Sequence, residues 1–471
     1  GRRKMNNGAP YYKIIFVSGK LGDVDGVSLE VDKWIEVLQN LGHEVHTIAG
    51  KYSSVVRGVP EERQYLLDLL NFDRKEQKEI EKQVFPFILK DPPYLSDEGR
   101  KAILEKIEAQ GNKAANEINS YIQDNNIDLI IAENTNAMPM TLVGGLAVYK
   151  LAVEKRIAAL FHHHDFWWER SRFSHSHIDG LLNKIMPPVD PGLEHVVLSS
   201  YSAHILRSLK RVDPKVIPNC EDFDNPVTLD DYNSDFRREF GFSNDDILIV
   251  QPTRIVRRKR IEDSLELLHR LVSRYPSLRP RVHFIISLYQ GDEPDRNYIG
   301  HIRELSEKYR IPLHLISDRV ASERKTDEGG RKMYTNRDVL ANADFVTYLP
   351  VWEGFGNALL EAMAAKAPVA CTTYLVYKTD IKIMGFRHVE IHDVYKDGVL
   401  VIPDKAVDDM HAVITNSDLR AEIVRHNFKI GKQAFGIHRL ESLVQSVITE
   451  YAPEIHASRR RIGKSKVTYS V

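Results

Sequence analysis

Apolar and polar positions at the start of the chain follow the pattern of an alternating strand and helix unit. Residues 13 to 18 form a nearly continuous apolar run, which is typical of a strand buried on both faces of a parallel sheet. A helix is predicted after this strand, with Gly42 as a typical residue to end it, and residues 45 to 48 predict the second strand. Between them, apolar residues three or four positions apart predict one helical face: Val27, Val31, Trp34, Ile35, Leu38 and Leu41.

Short apolar runs continue this alternation and divide the chain into two halves. The first half adds predicted strands at residues 129–132, 158–161 and 196–198. A second alternation begins near residue 245, with predicted strands at residues 247–251, 282–288, 313–316, 345–348 and 369–371. We therefore expect an α/β protein of two doubly wound, Rossmann-like domains, joined at about residues 219 to 232. Ligands of such sheets bind beyond the carboxyl ends of the strands, which predicts an interdomain cleft that both domains face.

Three polar segments interrupt the pattern. Residues 53 to 126 are charged and mostly helical in pattern, and we expect an insertion or lid over the first sheet. Residues 321 to 336 contain two adjacent glycines among polar residues, which predicts a mobile loop. Near its end the chain has a basic stretch that we expect to be a solvated, frayed tail, with Arg459, Arg460, Arg461, Lys464 and Lys466.

The composition narrows the class of protein. The 471 residues are 42% hydrophobic and 28% charged, which is enough for two cores in a globular chain. With 65 basic and 66 acidic residues, the net charge of −1 gives no global field that favours nucleic acid or an anionic membrane. Cys220 and Cys371 are too few for a disulfide framework, which fits a reducing cytoplasm. The sequence contains no run of about 18 apolar residues that would predict a membrane span.

A glycine-rich segment after residues 345–348 lies between two acidic residues, Glu353 and Glu361, which are eight positions apart. Glycines let the backbone approach a phosphate, and the amides of a new helix N-terminus favour negative charge. Each glutamate can accept hydrogen bonds from a pair of hydroxyls. The segment therefore predicts a nucleotide-sugar site, and the alternative is a tight turn followed by a solvated helix residue. The turn itself reads Gly354, Phe355, Gly356 and Asn357.

Arg254 and Lys259 follow the predicted strand at residues 247–251 and precede a helix. This position places two cations at the carboxyl end of a strand, where they are suited to hold a diphosphate. Fixed cations stabilise the charge that builds on a departing diphosphate without the need for a metal. The alternative is a basic helix start whose neighbouring arginines are mostly exposed.

His162, His163 and His164 follow another predicted strand, at residues 158–161, and Asp165 comes next. On an extended segment neighbouring side chains point to opposite faces, so His162 and His164 can share a ligand while His163 cannot. Asp165 is the only carboxylate at an obvious ligand spacing. We therefore expect no metal site here.

The residues after this histidine run mix aromatic, basic and acidic side chains. Aromatic faces suit sugar rings, and arginines and histidines suit carboxylate or phosphate, so the segment predicts an acceptor pocket for a polar, anionic molecule. Packing of the two tryptophans into the first core is the competing interpretation. The segment contains Trp167, Trp168, Glu169, Arg170, Arg172, Phe173, His175 and His177.

Several other enzyme classes lack their sequence signals. The chain has no Gly-X-Ser-X-Gly elbow and no phosphate-loop lysine motif, which disfavours hydrolases of that type and ATPases. The glycines between residues 19 and 26 are spaced wrongly for the dinucleotide fingerprint, which disfavours a dehydrogenase.

Taken together, these segments resemble the retaining glycosyltransferases of family 4, which have the GT-B fold. The resemblance spans roughly residues 12 to 450 and rests on four ordered motifs: residues 162–168 (HHHDFWW), 216–224 (VIPNCEDFD), 252–260 (PTRIVRRKR) and 353–363 (EGFGNALLEAM). Residues 26 to 48 also match the family's first helix and second strand. The fold class implied is α/β, GT-B, with two doubly wound domains that face an interdomain cleft.

The resemblance implies roles on the donor side. Glu361 would bind the ribose hydroxyls, and Glu353 the hydroxyls of the transferred sugar. The four turn residues would offer backbone amides to the donor, and Arg254 and Lys259 would hold its diphosphate. The family tends to have small residues, glycines and a proline after the last apolar strand, where this chain has residues 371–376 (CTTYLV).

In the first domain, the resemblance implies that His164 lines the reacting centre near the donor sugar. Gly26 would let the first loop approach the donor phosphates and the acceptor. The family usually pairs two glycines at this loop, whereas Asp25 stands at the earlier position and would reshape the acceptor side. The expected acceptor-binding residues are Asp25, Trp167, Arg170, Arg172 and His175.

We therefore expect a retaining hexosyltransferase that moves glucose or mannose from a nucleoside diphosphate sugar, such as UDP-glucose or GDP-mannose, to a hydroxyl. The acceptor predicted is small, polar and anionic, of the glucosylglycerate kind, with sugar phosphates as the nearest rival. Two other classes stay open: a nucleotide-sugar epimerase on the same fold, and a non-catalytic nucleotide-sugar binding module.

No cofactor is expected to be required, and Mg²⁺ on the donor diphosphate is left open. We expect no nucleic-acid partner, no stable membrane insertion and a cytoplasmic location, and a homodimer is left open. The domains expected are residues 1–225, with the helical insertion at about 53–126, and residues 226–435. Residues 436–471 would form a C-terminal helix that packs back on the first domain, followed by the basic tail.

Overall fold

The structure is a computed structural model that describes residues 11–23, 25–86, 89–289, 297–462 and 469–470. Its strands are β1 (Lys13–Ser18), β2 (Glu44–Ala49), β3 (Gln64–Leu66), β4 (Leu129–Glu133), β5 (Ala159–His162), β6 (Glu194–Val197), β7 (Lys215–Val216), β8 (Ile247–Gln251), β9 (Val282–Ile286), β10 (Leu313–Leu315), β11 (Lys325–Thr326), β12 (Lys332–Met333), β13 (Phe345–Tyr348), β14 (Val369–Thr372), β15 (Val389–Ile391), β16 (Tyr395–Lys396) and β17 (Val399–Leu400). Its α-helices are α1 (Gly26–Asn40), α2 (Lys75–Val84), α3 (Asp97–Asp124), α4 (Leu142–Tyr149), α5 (Asp179–Ile185), α6 (Ser200–Lys210), α7 (Phe236–Glu239), α8 (Ile261–Arg274), α9 (Tyr298–Tyr309), α10 (Asn336–Ala341), α11 (Asn357–Ala364), α12 (Asp404–Thr415), α13 (Ser417–Phe435) and α14 (Ile437–Ile462).

The chain divides into two compact units. Unit 1 holds the residues up to Pro218 and those from Leu440 onward, and unit 2 is Asn219–Arg439. The first division therefore falls at Pro218 rather than at residue 225, and the second at Arg439 rather than at residue 435.

Unit 1 is built on a parallel sheet with the strand order β3-β2-β1-β4-β5-β6-β7. Its central strands are buried on both faces, as their nearly continuous apolar runs predict. The order changes direction beside β1, which is typical of a doubly wound Rossmann-like fold. Helix α1 buries the predicted apolar face around Val31, Trp34 and Leu38.

The segment at residues 53–126 is more than an insertion or lid over this sheet. It is mostly helical, as expected, but it also supplies the edge strand β3, which pairs with β2. Its long helix α3 places Ala114, Ile118 and Ile122 in the same apolar cluster as β1 and β4. The high charge of the segment concealed this contribution, because only one stripe of α3 is apolar.

The C-terminal helix α14 packs into unit 1 from Leu440 onward. The Tyr451 hydroxyl accepts a hydrogen bond from the amide of Ala159 at 3.1 Å, and Ser458 Oγ accepts one from the amide of Ala158 at 2.7 Å.

The described part of the basic stretch makes specific contacts and is not a frayed tail. Arg459 pairs with Asp128, and Arg461 donates to the carbonyl of Arg156 at 2.8 Å. Lys464 and Lys466 lie outside the described residues.

Unit 2 is built on a second parallel sheet with the strand order β10-β9-β8-β13-β14-β15. Helix α8 begins after the loop that follows β8 and buries Ile261, Leu265, Leu268 and Val272 against this sheet. The strand order again changes direction beside the first strand of the unit, so unit 2 is also Rossmann-like.

Residues 321–336 are more regular than the mobile loop we expected. They include the antiparallel pair β11 and β12, and they end at Asn336, the first residue of α10. The Tyr232 hydroxyl donates to the carbonyl of Met333, and Arg324 pairs with Asp338 at 2.6 Å. These partners hold a segment whose glycines alone indicated a loop.

No helix in the described part of the chain is long and apolar enough to cross a lipid bilayer.

Candidate functional site

The glycine turn of unit 2 joins β13 to α11. Helix α11 begins at Asn357, so its first amides lie next to the turn, where they favour an anion. Gly356 has φ +145°, a conformation that strongly favours glycine. The Tyr374 hydroxyl donates to the carbonyl of Phe355 at 2.5 Å and lies 2.4 Å from the position that a Cβ on residue 356 would take. The turn is therefore held in one conformation by a tyrosine from the segment that departs from the family pattern.

Glu353 is buried at the start of this turn, and two cations bind its carboxylate. Lys259 forms an ion pair with it, and Arg258 Nη1 lies 3.2 Å from its Oε1. Burial raises the pKa of Glu353, but Lys259, Arg258 and Arg254 outweigh this effect, so the pKa lies below its ordinary value. Glu353 is therefore a charged group in a basic setting.

The two cations expected to hold a diphosphate lie in this same cluster. Burial lowers the pKa of Lys259 to about 7, the Glu353 carboxylate opposes that effect, and Arg258 and Arg254 add to it. Arg258 contacts the same carboxylate, so Glu353 has a second cationic partner beside Lys259. We expected the neighbours of Lys259 to be mostly exposed, but Arg257 alone is exposed, whereas Arg258 and Arg260 are half-buried.

Glu361 lies on α11, the helix that follows the turn, and 6% of its surface is exposed. Asn336 Nδ2 donates to its Oε2 at 2.9 Å, and Ser287 Oγ in turn donates to Asn336 Oδ1 at 2.6 Å. Asn219 Nδ2 similarly donates to Asn357 Oδ1 at 2.7 Å. Sequence reasoning missed Asn336 and Asn219 as partners, because Asn336 was assigned to the end of a predicted loop and Asn219 to the segment that joins the domains.

The donor-side residues named from the sequence thus come together in unit 2. Glu353 is in electrostatic contact with both Arg254 and Lys259, and the turn leads directly into the helix that carries Glu361.

In unit 1, Asp25 and Gly26 lie at the start of α1. Asp25 is the N-cap residue, and its carboxylate accepts hydrogen bonds from the amide of Ser28 at 3.1 Å and from its hydroxyl at 2.8 Å. Lys20 lies 3.5 Å from the same carboxylate. Gly26 is exposed as the first residue of the helix. Asp25 therefore has a structural role that explains its departure from glycine.

The three histidines alternate in direction, as an extended segment predicts. His162 and His164 both bond to Glu133, whereas His163 faces His195, with 3.0 Å between Nε2 and Nδ1. Burial, reinforced by His195, holds the pKa of His163 well below its ordinary value. Sequence reasoning considered Asp165 as the carboxylate of this cluster and missed Glu133, which comes from the neighbouring strand.

Glu133, His162 and His164 form a candidate metal cluster, with one potential ligand atom from each within 4.8 Å of the others. Two imidazoles and one carboxylate are a ligand set that zinc enzymes use. However, a metal-bound histidine normally donates its other ring N–H to a partner. Nε2 of His162 is buried and has no hydrogen-bond partner among the described residues. The cluster therefore fits a carboxylate that binds two imidazoles better than it fits a metal centre.

The residues expected to bind the acceptor contact several different groups of the protein. Arg170 pairs with Asp165, the residue after His164, and Arg172 pairs with Glu81 of α2. Trp167 donates its indole N–H to the carbonyl of Met186 at 2.9 Å and packs against an apolar cluster, which supports the packing interpretation for this residue. His175 is exposed.

Two further polar groups in this segment are buried without a described partner. These are Trp168 Nε1 and both carboxyl oxygens of Glu169. Burial, with Asp165 adding to it, holds the pKa of Glu169 well above its ordinary value. Buried polar atoms without a partner are uncommon, which makes these two groups candidates for ligand contact.

The chain is similar in sequence to known proteins. Residues 233–429 match the family model for glycosyl transferases group 1, and this range contains Arg254, Lys259, Glu353 and Glu361. The chain is 32% identical over 448 residues to a mannosylglucosylglycerate synthase from Thermotoga maritima, which covers 92% of this chain and 98% of that protein. It is 27% identical over 454 residues to a second enzyme of this name, from Petrotoga mobilis, covering 90% and 98%.

The fold matches solved structures of other glycosyltransferases. A sucrose-phosphate synthase from Thermosynechococcus elongatus superposes with a TM-score of 0.63 at 13% identity, covering 94% of this chain and 99% of that one. Such a low identity supports the fold alone. The similarity to the Thermotoga maritima enzyme over nearly the whole length of both proteins shows that the chain belongs to the group 1 glycosyltransferases, and its two Rossmann-like units have the GT-B fold.

Proposed function

We propose that this glycosyltransferase moves a mannosyl group from a nucleoside diphosphate sugar to a hydroxyl of glucosylglycerate, with retention of the anomeric configuration. The observation that carries the proposal is the 32% identity, over 92% of the chain, to a mannosylglucosylglycerate synthase. That name describes a product in which mannose is joined to glucosylglycerate. The acceptor is small, polar and anionic, as the sequence of unit 1 also predicts.

The residues of unit 2 support donor binding. Asn336 holds the Glu361 carboxylate at the start of α11, and a carboxylate in this position suits the hydroxyls of a ribose. Lys259, Arg258 and Arg254 surround one buried carboxylate and supply more positive charge than it can compensate. A diphosphate is the anion that best matches this excess, and its charge would restore the protonation of Lys259.

The basic cluster also favours front-face attack over a covalent intermediate. The Glu353 carboxylate is bound by Lys259 and Arg258, which lowers its reactivity as a nucleophile. In the proposed step, the acceptor oxygen bonds to the anomeric carbon while the bond from that carbon to the diphosphate breaks. The electron pair leaves with the diphosphate, and the departing phosphate oxygen takes the acceptor proton. Fixed cations stabilise the charge on that oxygen.

The segment after His164 supports the proposed binding of the acceptor. Trp168 Nε1 and the carboxyl oxygens of Glu169 have hydrogen-bonding capacity that the described residues do not use. Both groups suit the hydroxyls of a sugar or glycerate. Arg170 and Arg172 are paired with Asp165 and Glu81, so their contribution to anion binding is reduced in proportion.

We also propose that the transfer requires no bound cofactor. Three cations in the donor cluster supply the charge stabilisation that Mg²⁺ provides elsewhere. Turnover should therefore persist in excess EDTA, and Mg²⁺ should alter it only through its own complex with the donor diphosphate.

The test supplies the purified protein with GDP-mannose, UDP-mannose, GDP-glucose or UDP-glucose, each with and without glucosylglycerate. Release of nucleoside diphosphate should require both a mannose donor and the acceptor, and NMR of the product should show the donor's anomeric configuration. Conversion of the donor without acceptor would identify an epimerase, and thermal stabilisation by donor without turnover would identify a binding module.

Glu361→Ala and Arg254→Ala should each lower kcat/KM by roughly 100-fold or more, because they remove fixed groups that bind the donor. Glu304→Ala and Arg303→Ala are matched controls on the exposed side of α9 and should retain wild-type activity. Full activity of both donor-side variants would contradict the assigned roles.

A further inference from the structure

Asn112 and Asn116 lie four positions apart in the long helix α3, so their side chains lie on one face of it. Asparagine is a weak helix former, because its side-chain amide competes with the backbone for hydrogen bonds. Here both side chains bond a segment from a distant part of the chain, which contains Tyr469 and Ser470. Their position therefore indicates a binding face on α3.

The bonds from α3 go to the backbone of this segment. The amide of Tyr469 donates to Asn116 Oδ1 at 2.6 Å, and Asn116 Nδ2 donates to the carbonyl of Tyr469 at 2.7 Å. One turn earlier on α3, Asn112 Nδ2 donates to the carbonyl of Ser470 at 3.0 Å. Asn116 thus bonds both backbone groups of one residue, as a neighbouring strand does in a sheet. Such bonds give affinity for a peptide, and the pocket for its side chain gives specificity.

The side chain of Tyr469 meets a second element, the π-helical turn Lys150–Glu154 that follows α4. Its hydroxyl donates to the carbonyl of Lys150 at 2.8 Å. The ring lies 4.9 Å from Lys150 Nζ and 5.1 Å from Lys155 Nζ, which is within the range of cation–π attraction. It also packs against the apolar cluster of unit 1 to which α3 contributes. The site therefore binds an aromatic ring and a hydroxyl as well as a backbone.

The charges around the phenol favour its protonated form. Burial raises the pKa of Tyr469, and the carboxylates of Glu154 and Glu108 add to this effect. Glu108 also pairs with Lys150, the residue whose ammonium group faces the ring. A phenol can donate to a carbonyl, whereas phenylalanine has no donor and an anionic side chain would face two carboxylates. Tyrosine therefore fits this site better than phenylalanine or an acidic residue does.

The segment and its site are joined by a short stretch of the same chain. Six residues separate Tyr469 from Ile462, the last residue of α14, and α14 itself packs into unit 1. Two binding partners joined at short range have an effective concentration on the order of millimolar. A contact of modest strength is then enough to keep the segment bound, and a free peptide competes poorly with it.

We propose that α3 and the π-helical turn form a recognition site for a tyrosine-containing peptide, and that Tyr469 and Ser470 are a strap that occupies it. The strap fastens α3 to the turn that leads from α4 into β5, in addition to the ion pair between Glu108 and Lys150. It uses no substrate and is independent of the proposed transfer. Its release should loosen the turn and open a site that takes the same peptide as a separate molecule.

The first experiment measures hydrogen exchange in the 471-residue chain at Lys155 and Ile157, whose amides donate to the carbonyls of Lys150 and Leu151. In Tyr469→Ala these amides should exchange about 3–10-fold faster than in wild type, because the strap no longer holds the turn.

Asn116→Ala breaks the backbone bonds and leaves Tyr469 in place, and it should have the same effect if the strap is released as one unit. The double variant should then differ from either single variant by less than about twofold. Lys113→Ala, at an exposed position of α3 between the two asparagines, and Tyr94→Ala, at a residue 92% exposed, are the matched controls and should exchange like wild type.

The second experiment adds a synthetic peptide with the sequence of residues 463–471 (GKSKVTYSV). Calorimetry should show one peptide bound per Tyr469→Ala chain, and binding to wild type at least about 10-fold weaker, because the strap already occupies the site. The peptide that carries Tyr469→Phe should bind about 3–10-fold more weakly than the unaltered one, since the carbonyl of Lys150 loses a donor. Binding should be lost in the double variant with Asn116→Ala.

Three results would overturn the proposal. The first is no binding of the peptide to Tyr469→Ala at about 1 mM, the effective concentration expected of the attached segment, and the second is equal binding to Tyr469→Ala and wild type. The third is wild-type exchange at Lys155 in both Tyr469→Ala and Asn116→Ala. A wild-type dimer that dissociates in Tyr469→Ala would place the segment on a second copy and would overturn the strap within one chain. Because none of these measurements uses a sugar donor, they decide the matter even if the proposed transfer fails.

Discussion

Gly356 is the residue at which backbone conformation and a neighbouring side chain restrict the candidate site most tightly. Its φ of +145° excludes most side chains, and the Tyr374 hydroxyl lies 2.4 Å from the place of a Cβ. Gly356→Ala should therefore destabilise the fold by roughly 1–3 kcal/mol and raise the donor KM. Thermal unfolding and donor kinetics measure the two effects separately.

Removal of the hydroxyl separates steric conflict from backbone strain. Gly356→Ala with Tyr374→Phe should recover part of the lost stability, since the contact is relieved, but not all of it, since φ stays positive. Gly300→Ala is the control, because a Cβ at that position on α9 meets no atom within 4 Å. A double variant no more stable than Gly356→Ala would show that the tyrosine does not restrict the turn.

Asp32 on α1 should make the stability of unit 1 depend on pH. Burial, with Asp25 adding to it, raises the pKa of Asp32 to about 7 from an ordinary value of 3.8. The folded state thus binds this proton more tightly than the unfolded state, and the free energy of unfolding falls as pH rises from about 4 to about 7.

Asp32→Asn should therefore stabilise the protein at pH 8 by up to about 4 kcal/mol, because each pH unit between the two pKa values contributes about 1.4 kcal/mol. At pH 4 the variant and wild type should unfold alike. Chemical denaturation at both pH values tests this, with the exposed Asp231→Asn as a control. Equal stability of Asp32→Asn and wild type at pH 8 would show that the carboxylate is solvated.

At this scale, the sequence predicted the arrangements that depend on local spacing. The glycine turn with Glu353 and Glu361, and the alternation of His162 and His164, follow from positions along one segment. Glu133 and Asn336 had no such signal, because each meets its partner from a different element. Tyr374 was visible as a departure from the family pattern, but its contact with the turn depends on tertiary packing.

Among the elements, buried strands were the most predictable. Continuous apolar runs gave β1, β8 and β13 with the bounds observed in the structure, because strands buried on both faces have few polar positions. Short strands such as β3, β7 and β15 were missed, since two or three residues carry no periodicity.

Polar elements were harder to predict because side chains from elsewhere stabilise them. The β11–β12 pair depends on Tyr232 and Arg324, and α3 depends on one apolar stripe within a charged helix. Hydrophobic pattern alone does not identify such partners. For this reason the β11–β12 segment was expected to be a mobile loop, and the segment that contains α3 was expected to be an insertion or lid.

The molecule as a whole has a discontinuous first unit. The chain leaves unit 1 at Pro218 and returns to it at Leu440. The returning segment satisfies backbone groups of the first sheet, because Tyr451 and Ser458 accept from the amides of Ala159 and Ala158. The two-domain organisation followed from the repeated strand and helix pattern, whereas these long-range bonds have no local signal.

A chain that ends at Arg439 should therefore lose stability in unit 1 while unit 2 stays intact. Hydrogen exchange measured by mass spectrometry should show weaker amide protection in β1, β4 and β5, and unchanged protection in β8, β9 and β13. In the untruncated 471-residue chain, Tyr451→Phe should cost about 1–3 kcal/mol, since the buried Ala159 amide loses its acceptor. Tyr94→Phe, at a residue 92% exposed, is the matched control and should be neutral. Equal loss of protection in both units of the truncated chain would show that they fold as one cooperative body, and unchanged protection in β5 would show that α14 contributes little to the first sheet.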